Sequence, residues 1–398
     1  MDLFPAKEGV PGFVFSGIKC GIKPDAPDLG LIACDRPCSA AGVFTTNRVK
    51  AAPVLLGKRR VAGGSLQAVL VNSGNANACT GSRGMASARN TCRHLAACLA
   101  IPETLVVPCS TGVIGVQPPE QKICDGLSRL IKQASPQAIS SFARSIMTTD
   151  TRSKIVSVTD RLNGKRVKMC GVAKGSGMIM PDMATMLSFI VTDAAVKPCI
   201  LSELLTKHTE KTFNRITVDG DTSTNDTVLL LASGRAETVV RPSGSASYGA
   251  FSAMLFHVML ELARMIVLDG EGSTKFITIQ VINAATESSA TKAARKIANS
   301  PLVKTAFFGG DFNWGRIMAA LGSAGVPVNA RRIGISYNGL PAVCNGQAVT
   351  ENIPALKRTV KKKAVTVTVD LNSGSRSCDI MTCDLSYDYV KINADYTS

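Results

Sequence analysis

The chain has 398 residues, 45% of them hydrophobic and 5% aromatic, and a formal net charge of +16. That length supports two or three domains around a large core, and that apolar share excludes a disordered chain. The charge alone would admit a nucleic-acid partner, but the basic residues are dispersed and few aromatics stand ready to stack on bases, so a small anionic substrate or a merely solvated surface fits better. Residues 10–60 read as short strands joined by turns, with Pro11-Gly12 one turn signal and Gly42–Asn47 a strand leaving a small-residue turn. Leu66–Val71 reads as a buried strand ending in a loop of small polar residues, Asn72 to Gly81, before a helix from about Met85 to Leu99. A strand, a polar loop and a helix in that order is where α/β proteins place ligands, but the residues alone favour a long capping loop.

Thr104–Val107 is a second short strand, running into Cys109-Ser110-Thr111-Gly112-Val113. Backbone N–H groups beside a hydroxyl can form an oxyanion hole there, and a plain strand-end turn is the alternative. Pro118-Pro119-Glu120 opens a helix to about Lys132, a second helix spans about 136–145, and the polar knot Met147-Thr148-Thr149-Asp150-Thr151 follows. Lys154–Val158 and Arg166–Val172 form a predicted hairpin around Leu162-Asn163-Gly164. It delivers the chain to Lys174-Gly175-Ser176-Gly177-Met178-Ile179-Met180-Pro181-Asp182-Met183-Ala184-Thr185. Glycines and a proline shape a tight turn there, and Met186–Val191 reads as a buried strand. Thr185 thus sits at the mouth of a core strand.

Downstream, a helix is predicted over about Cys199–Thr209. The segment after it carries Asp219, Asp221 and Asp226 among threonines, Ser223 and Asn225. It resembles a cation loop without the twelve-residue calcium spacing, and no metal is expected. Phe251, Met254, Leu255, Val258, Leu262, Met265 and Ile266 follow helical spacing with His257, Glu261 and Arg264 between them, the pattern of an amphipathic core helix rather than a membrane span. Glu271 stands between glycines before a strand at Phe276–Val281. Thr286–Ala298 is a helix, and Asp311 is a plausible N-cap before the only tryptophan, Trp314. Ile333–Tyr337, Ala364–Asp370 and Tyr389–Ile392 read as strands. Thirteen scattered cysteines without a CxxC, and three histidines, give no zinc spacing. They read as reduced thiols, and with no signal peptide apparent the expected location is cytoplasmic.

These motifs, in order from about residue 40 to the last residue, resemble the ornithine acetyltransferase family, the bifunctional glutamate N-acetyltransferases of arginine biosynthesis. The matching segments are NSGNAN (72–77), CSTGV (109–113), TTD (148–150), KGSGM through ATML (174–187), VDGDTSTND (218–226), GEG (270–272), the GxDxNWGR pattern (309–316) and the C-terminus. The resemblance implies a layered α-β-β-α sandwich with the active site between domains. It implies self-cleavage at Ala184–Thr185 into an N-terminal chain 1–184 and a C-terminal chain 185–398, with Thr185 as the N-terminal nucleophile. A threonine hydroxyl is a weak nucleophile alone, and the free α-amine that cleavage creates can serve as its base. Thr111 and Gly112 would form the oxyanion hole. Substrate contacts would come from Thr148 or Thr149, which stay undecided, and from Lys174, Thr185, Glu271, Asn393 and Ser398. The last is a departure, since the family ends in threonine. The Lys174 cation would orient a carboxylate or favour developing negative charge, and Glu271 would hold a substrate ammonium. The implied substrates are N-acetylornithine and glutamate, with acetyl-CoA a second donor. The implied assembly is an α2β2 heterotetramer, without cofactor, nucleic acid or membrane. An N-terminal-nucleophile amidohydrolase or aminopeptidase and a non-catalytic scaffold are the competing readings.

Overall fold

Glycine and proline punctuation cuts the chain into many short apolar runs, and these become strands of two separate sheets. The computed structural model describes residues 1–5, 8–180 and 186–395. It divides into one unit of Met1–Asn214 with Asp221–Ile266 and a second of Arg215–Gly220 with Val267–Thr397. The first unit contains strands β1 (Asp2–Leu3), β2 (Phe13–Ile18), β3 (Leu29–Phe44), β4 (Ser65–Asn75), β5 (Val106–Val113), β6 (Lys154–Leu162), β7 (Lys165–Lys174), β8 (Leu187–Thr192) and β9 (Thr227–Ala232). Its helices are α1 (Ala52–Val61), α2 (Gly81–Leu99), α3 (Glu120–Lys132), α4 (Ile139–Ser145), α5 (Pro198–Thr209) and α6 (Ala246–Leu268).

The order in the sheet is β1-β6-β7-β8-β9-β3-β4-β5, with β2 also on β3. The sixteen-residue β3 is the joint. Leu29–Ala33 pairs with β2 and β4, the register shifts between Ala33 and Cys38, and Ser39–Phe44 pairs with β9. A register break of this kind bends a strand and lets one sheet turn over itself. Alternate residues of β3–β5 (Ile32, Val69, Val71, Val107, Cys109) then share one core with alternate residues of β7–β9 (Val172, Leu187, Phe189, Val191, Leu229, Leu231). The opposite face of β3–β5, with Leu29, Leu31, Ala68, Leu70 and Val106, packs on α1, α2 and α3. Gly171 of β7 lies under α6: a Cβ there would come within 2.5 Å of Val258 and 2.7 Å of Leu262. Helices, sheet, sheet and helix thus form the layered α-β-β-α sandwich inside this unit.

α6 is 23 residues long and apolar enough by composition to cross a membrane. Its Phe251, Met254, Leu255, Val258, Met259, Leu262 and Ile266 are fully buried, and Glu261 pairs with Arg264 on its wet side. It is the core helix its spacing predicts.

The second unit contains β10 (Phe276–Ala284), β11 (Gly334–Tyr337), β12 (Leu340–Cys344), β13 (Gln347–Ala348), β14 (Ala364–Asp370) and β15 (Arg376–Cys383), in the order β13-β12-β11-β14-β10-β15. Helices α7 (Glu287–Ala298), α8 (Pro301–Phe308), α9 (Trp314–Gly322), α10 (Ile353–Thr359) and α11 (Tyr387–Asp395) accompany it. Ala290, Ala293, Ala294 and Ile297 of α7 share one core with Ile277, Ile279 and Val281 of β10 and with Cys378 and Ile380 of β15.

Several boundaries differ from those predicted. β4 continues through Asn75 and β5 through Val113, so the first four residues of the expected loop Asn72–Gly81 and all of Cys109–Val113 are strand. Asn313, not Asp311, caps α9, its side chain accepting the Arg316 N–H. Tyr389–Ile392 is helical within α11. Four residues cannot separate the two periodicities; within the helix the Asn393 side-chain amide donates to Tyr389 O one turn back. The expected chain boundary at 184/185 falls inside the first unit, between β7 and β8, so the two expected chains do not coincide with the two units of the fold.

Candidate active site

The adjoining strands β4 and β5 run parallel, with Gly74 opposite Gly112. Gly112 has φ +131°, and a Cβ on it would stand 2.4 Å from the Gly74 carbonyl carbon and 2.6 Å from Asn75 N. Only glycine fits. An amide network holds this strand end. Asn225 Nδ2 donates to Ala76 O (2.7 Å) and Ser110 O (2.8 Å), and Ser110 Oγ donates to Asn72 Oδ1 (2.6 Å). Asn75 Oδ1 accepts the Asn77 N–H at 2.9 Å. All of these side chains are buried. The polar loop is therefore the brace behind Thr111 and Gly112, closer to the capping reading than to a ligand site.

β7 ends at Lys174, which is 3% exposed. Its ammonium donates to Thr111 Oγ1 at 3.2 Å and Thr148 Oγ1 at 2.9 Å. Three residues read from the sequence thus meet at one point. Thr149 faces elsewhere, its hydroxyl 2.7 Å from Ser176 Oγ. Asp150 ties the knot to the turn: Oδ1 accepts Lys154 Nζ and Gly175 N, both at 2.7 Å, and Oδ2 accepts Thr148 N at 3.0 Å. Burial pushes the Asp150 pKa up, but Lys174, Lys154 and the Gly175 N–H together pull it down to about 2. The aspartate is a fixed anion among cations.

Asp226, at the entry to β9, is the second buried carboxyl. Its Oδ1 accepts the Met186 N–H at 2.9 Å, and its Oδ2 has no partner among the described residues. Burial raises its pKa well above the ordinary carboxylate range, against weaker opposition from the Met186 N–H and Lys174. It grips Met186, the first described residue after position 185, in surroundings whose burial favours the protonated form. Sequence reading grouped Asp226 with the other aspartates of its loop and missed this. It also missed the Asp150–Lys154 pair, whose signal was a carboxylate four residues before a lysine at the start of an apolar strand.

In the second unit, Glu271 and Asn393 come together. Asn393 Nδ2 donates to Glu271 Oε2 at 2.8 Å, and the glutamate is 8% exposed. Gly272, at φ +65°, brings this turn against α11: a Cβ there would lie 2.5 Å from Tyr389 N. Ser386 Oγ donates to Gly272 O at 2.6 Å, and Asp384 accepts the N–H groups of Thr274 and Lys275. Ala184, Thr185 and Ser398 lie outside the described residues.

A sandwich of this kind, with a threonine and a positive-φ glycine closing one strand beside a buried ammonium group, has the parts of an acyl-transfer enzyme. Comparison with known proteins gives the particular group. The chain belongs to the ArgJ family, whose model matches residues 14–398, and it is an acyltransferase of arginine biosynthesis. The arginine biosynthesis bifunctional protein ArgJ of Geobacter sulfurreducens is 48% identical over 389 residues, covering 97% of this chain and 99% of that protein. The protein of the same name from Desulfotalea psychrophila is 48% identical over 391 residues, covering 98% and 100%. Among solved structures, the arginine biosynthesis bifunctional protein ArgJ of Bacillus halodurans is 40% identical with a TM-score of 0.51; the match covers 53% of this chain and 100% of that one.

Proposed function

We propose that the protein is a glutamate N-acetyltransferase that cuts itself at Ala184–Thr185 and then moves acetyl from N-acetylornithine to glutamate through an acetyl-threonine. In the cut, the Thr185 hydroxyl attacks the Ala184 carbonyl, and water hydrolyses the resulting ester. This leaves an Ala184 carboxylate and a Thr185 α-amine. In transfer, Thr185 Oγ attacks the acetyl carbonyl while its proton passes to that amine. The oxyanion is taken by Thr111 and the Gly112 N–H. Collapse breaks the amide bond, and ornithine's α-amine leaves with the proton. The α-amine of glutamate then attacks the acetyl-threonine and restores the hydroxyl. Lys174 polarises the Thr111 hydroxyl, and Thr148 holds the lysine. Glu271, with Asn393, takes the substrate ammonium, and Ser398 closes the pocket. Acetyl-CoA serves as a second donor, in keeping with the bifunctional name of the relatives. The assembly is α2β2 and the location cytoplasmic.

The observation that carries this reading is the Lys174 ammonium shared between the Thr111 and Thr148 hydroxyls beside Gly112. The cut has separate support. The solved Bacillus halodurans chain matches over its whole length only 53% of this one. Residues 185–398 are 214 of 398, about the same share. The test is the intact mass of purified protein, expected as two pieces, 1–184 and 185–398, together with formation of N-acetylglutamate from N-acetylornithine. Thr185→Ala should give one uncut, inactive chain. An uncut wild type, or release of acetate without N-acetylglutamate, refutes the reading.

A further inference from the structure

One cation near this site belongs to no motif. Lys23 lies in the turn between β2 and β3, and its ammonium donates to Met147 O at 2.8 Å, one residue from the Thr148 that receives Lys174. The turn is rigid. The buried Asp28 carboxylate accepts four successive backbone N–H groups, from Cys20 (2.6 Å), Gly21 (3.0 Å), Ile22 (2.6 Å) and Lys23 (2.9 Å). Asp28 O also accepts the Ser73 N–H at 2.9 Å, which fastens the turn to β4. The methylene stem of Lys23 lies over Gly74, where a Cβ would come within 2.9 Å of Lys23 Cγ. Gly74 is therefore sandwiched between the Lys23 stem and Gly112. Among the described residues no carboxylate forms an ion pair with Lys23. Burial lowers its pKa, Lys174 lowers it further, and Asp28 and Asp150 work against both.

We propose that Lys23 binds the α-carboxylate common to the acetyl donor and the acetyl acceptor. The inference rests on the function proposed above and adds to it the element that recognises the amino-acid end. In an N-acetyl amino acid only the amide nitrogen and the α-carbon separate the acetyl carbonyl from the carboxylate. A carbonyl seated at Thr111 and Gly112 therefore places the carboxylate close by, whatever the side chain. Lys174 is bonded to two hydroxyls of the site, whereas Lys23 has a carbonyl oxygen as its acceptor. An ammonium bound to a carbonyl gains by turning to a carboxylate. Donor and acceptor differ at their far ends and share this one, so a single lysine serves both halves of the reaction.

The experiment uses the full chain after cleavage. Lys23→Met keeps the apolar stem over Gly74 and removes the charge, and Lys23→Arg restores it. The expected result is normal cutting and a KM for both N-acetylornithine and glutamate raised about 10- to 100-fold, the effect of a lost charge-assisted hydrogen bond. The kcat should stay within about threefold, and Lys23→Arg should recover most of the loss. In a parallel arm the wild type should turn over the carboxamide of N-acetylornithine with a similar penalty, and Lys23→Met should discriminate little between amide and acid. Unchanged KM values in Lys23→Met, or equal discrimination against the carboxamide in both proteins, overturn the proposal. A wild type that neither cuts nor transfers instead defeats the underlying function, so the two failures are distinct.

Discussion

Replacing Asp150 with asparagine tests the electrostatic core of the site. The Asp150 and Lys154 side chains are both fully buried and stand 2.7 Å apart. The substitution keeps the shape and leaves Lys154 facing an amide. Removing one member of a buried pair costs about 3–5 kcal/mol, since the remaining charge stays desolvated. For a unit of roughly 260 residues, an unfolding entropy of about 2.1 cal/mol/K per residue converts 4 kcal/mol into a Tm loss of about 7 °C. The pH dependence gives a second reading. The folded-state pKa of Asp150, about 2, is below the ordinary value of 3.8, so its charge stabilises the fold above about pH 4 and that contribution is lost as pH falls through 2. A drop of nearly two units corresponds to roughly 2 kcal/mol. Differential scanning calorimetry of both proteins between pH 2 and pH 7 should show a lower Tm for Asp150→Asn at neutral pH and a flatter acid limb. A Tm within about 1 °C of wild type at pH 7, or an acid limb of unchanged slope, refutes the reasoning.

Two other changes separate the parts of the mechanism. Gly112→Ala forces a Cβ into the Gly74 backbone at a positive φ; it should lower kcat by about 10²- to 10³-fold, as loss of an oxyanion donor does, measured in cleaved protein by N-acetylglutamate formation. Asn393→Ala removes the 2.8 Å partner of Glu271 and should raise KM for N-acetylornithine severalfold with little change in cutting, read by steady-state kinetics beside denaturing electrophoresis.

The layers were legible where periodicity was long: the β6–β7 hairpin, α6 and β14 all stand close to where alternation or helical spacing puts them. They were least legible at strand ends, where Asn72–Asn75 and Cys109–Val113 are polar enough to read as loop yet complete the β4–β5 ladder. The cluster of Thr111, Thr148 and Lys174 spans 63 residues of sequence, and no local rule joins such positions; the family motifs supplied that link. Lys23 and Asp226 were missed for different reasons. The Lys23 turn has no pattern of its own, and its order comes from the buried Asp28. Asp226 sits in a segment rich in hydroxyl and carboxyl side chains, and its role depends on burial, which composition does not reveal. Asn313 and Asp311 are both good caps by residue type, and the choice between them was made by where the chain turns into α9.

The place of β8 and β9 in the first sheet has a mechanical outcome. Both follow the Ala184–Thr185 bond, and they are flanked by β7 on one side and β3 on the other, strands that precede it. A nick there severs the backbone without opening a seam, because the later piece is woven through the middle of the earlier one. The halves would comigrate on a native gel, exchange no partners between molecules and part only when the whole ladder melts.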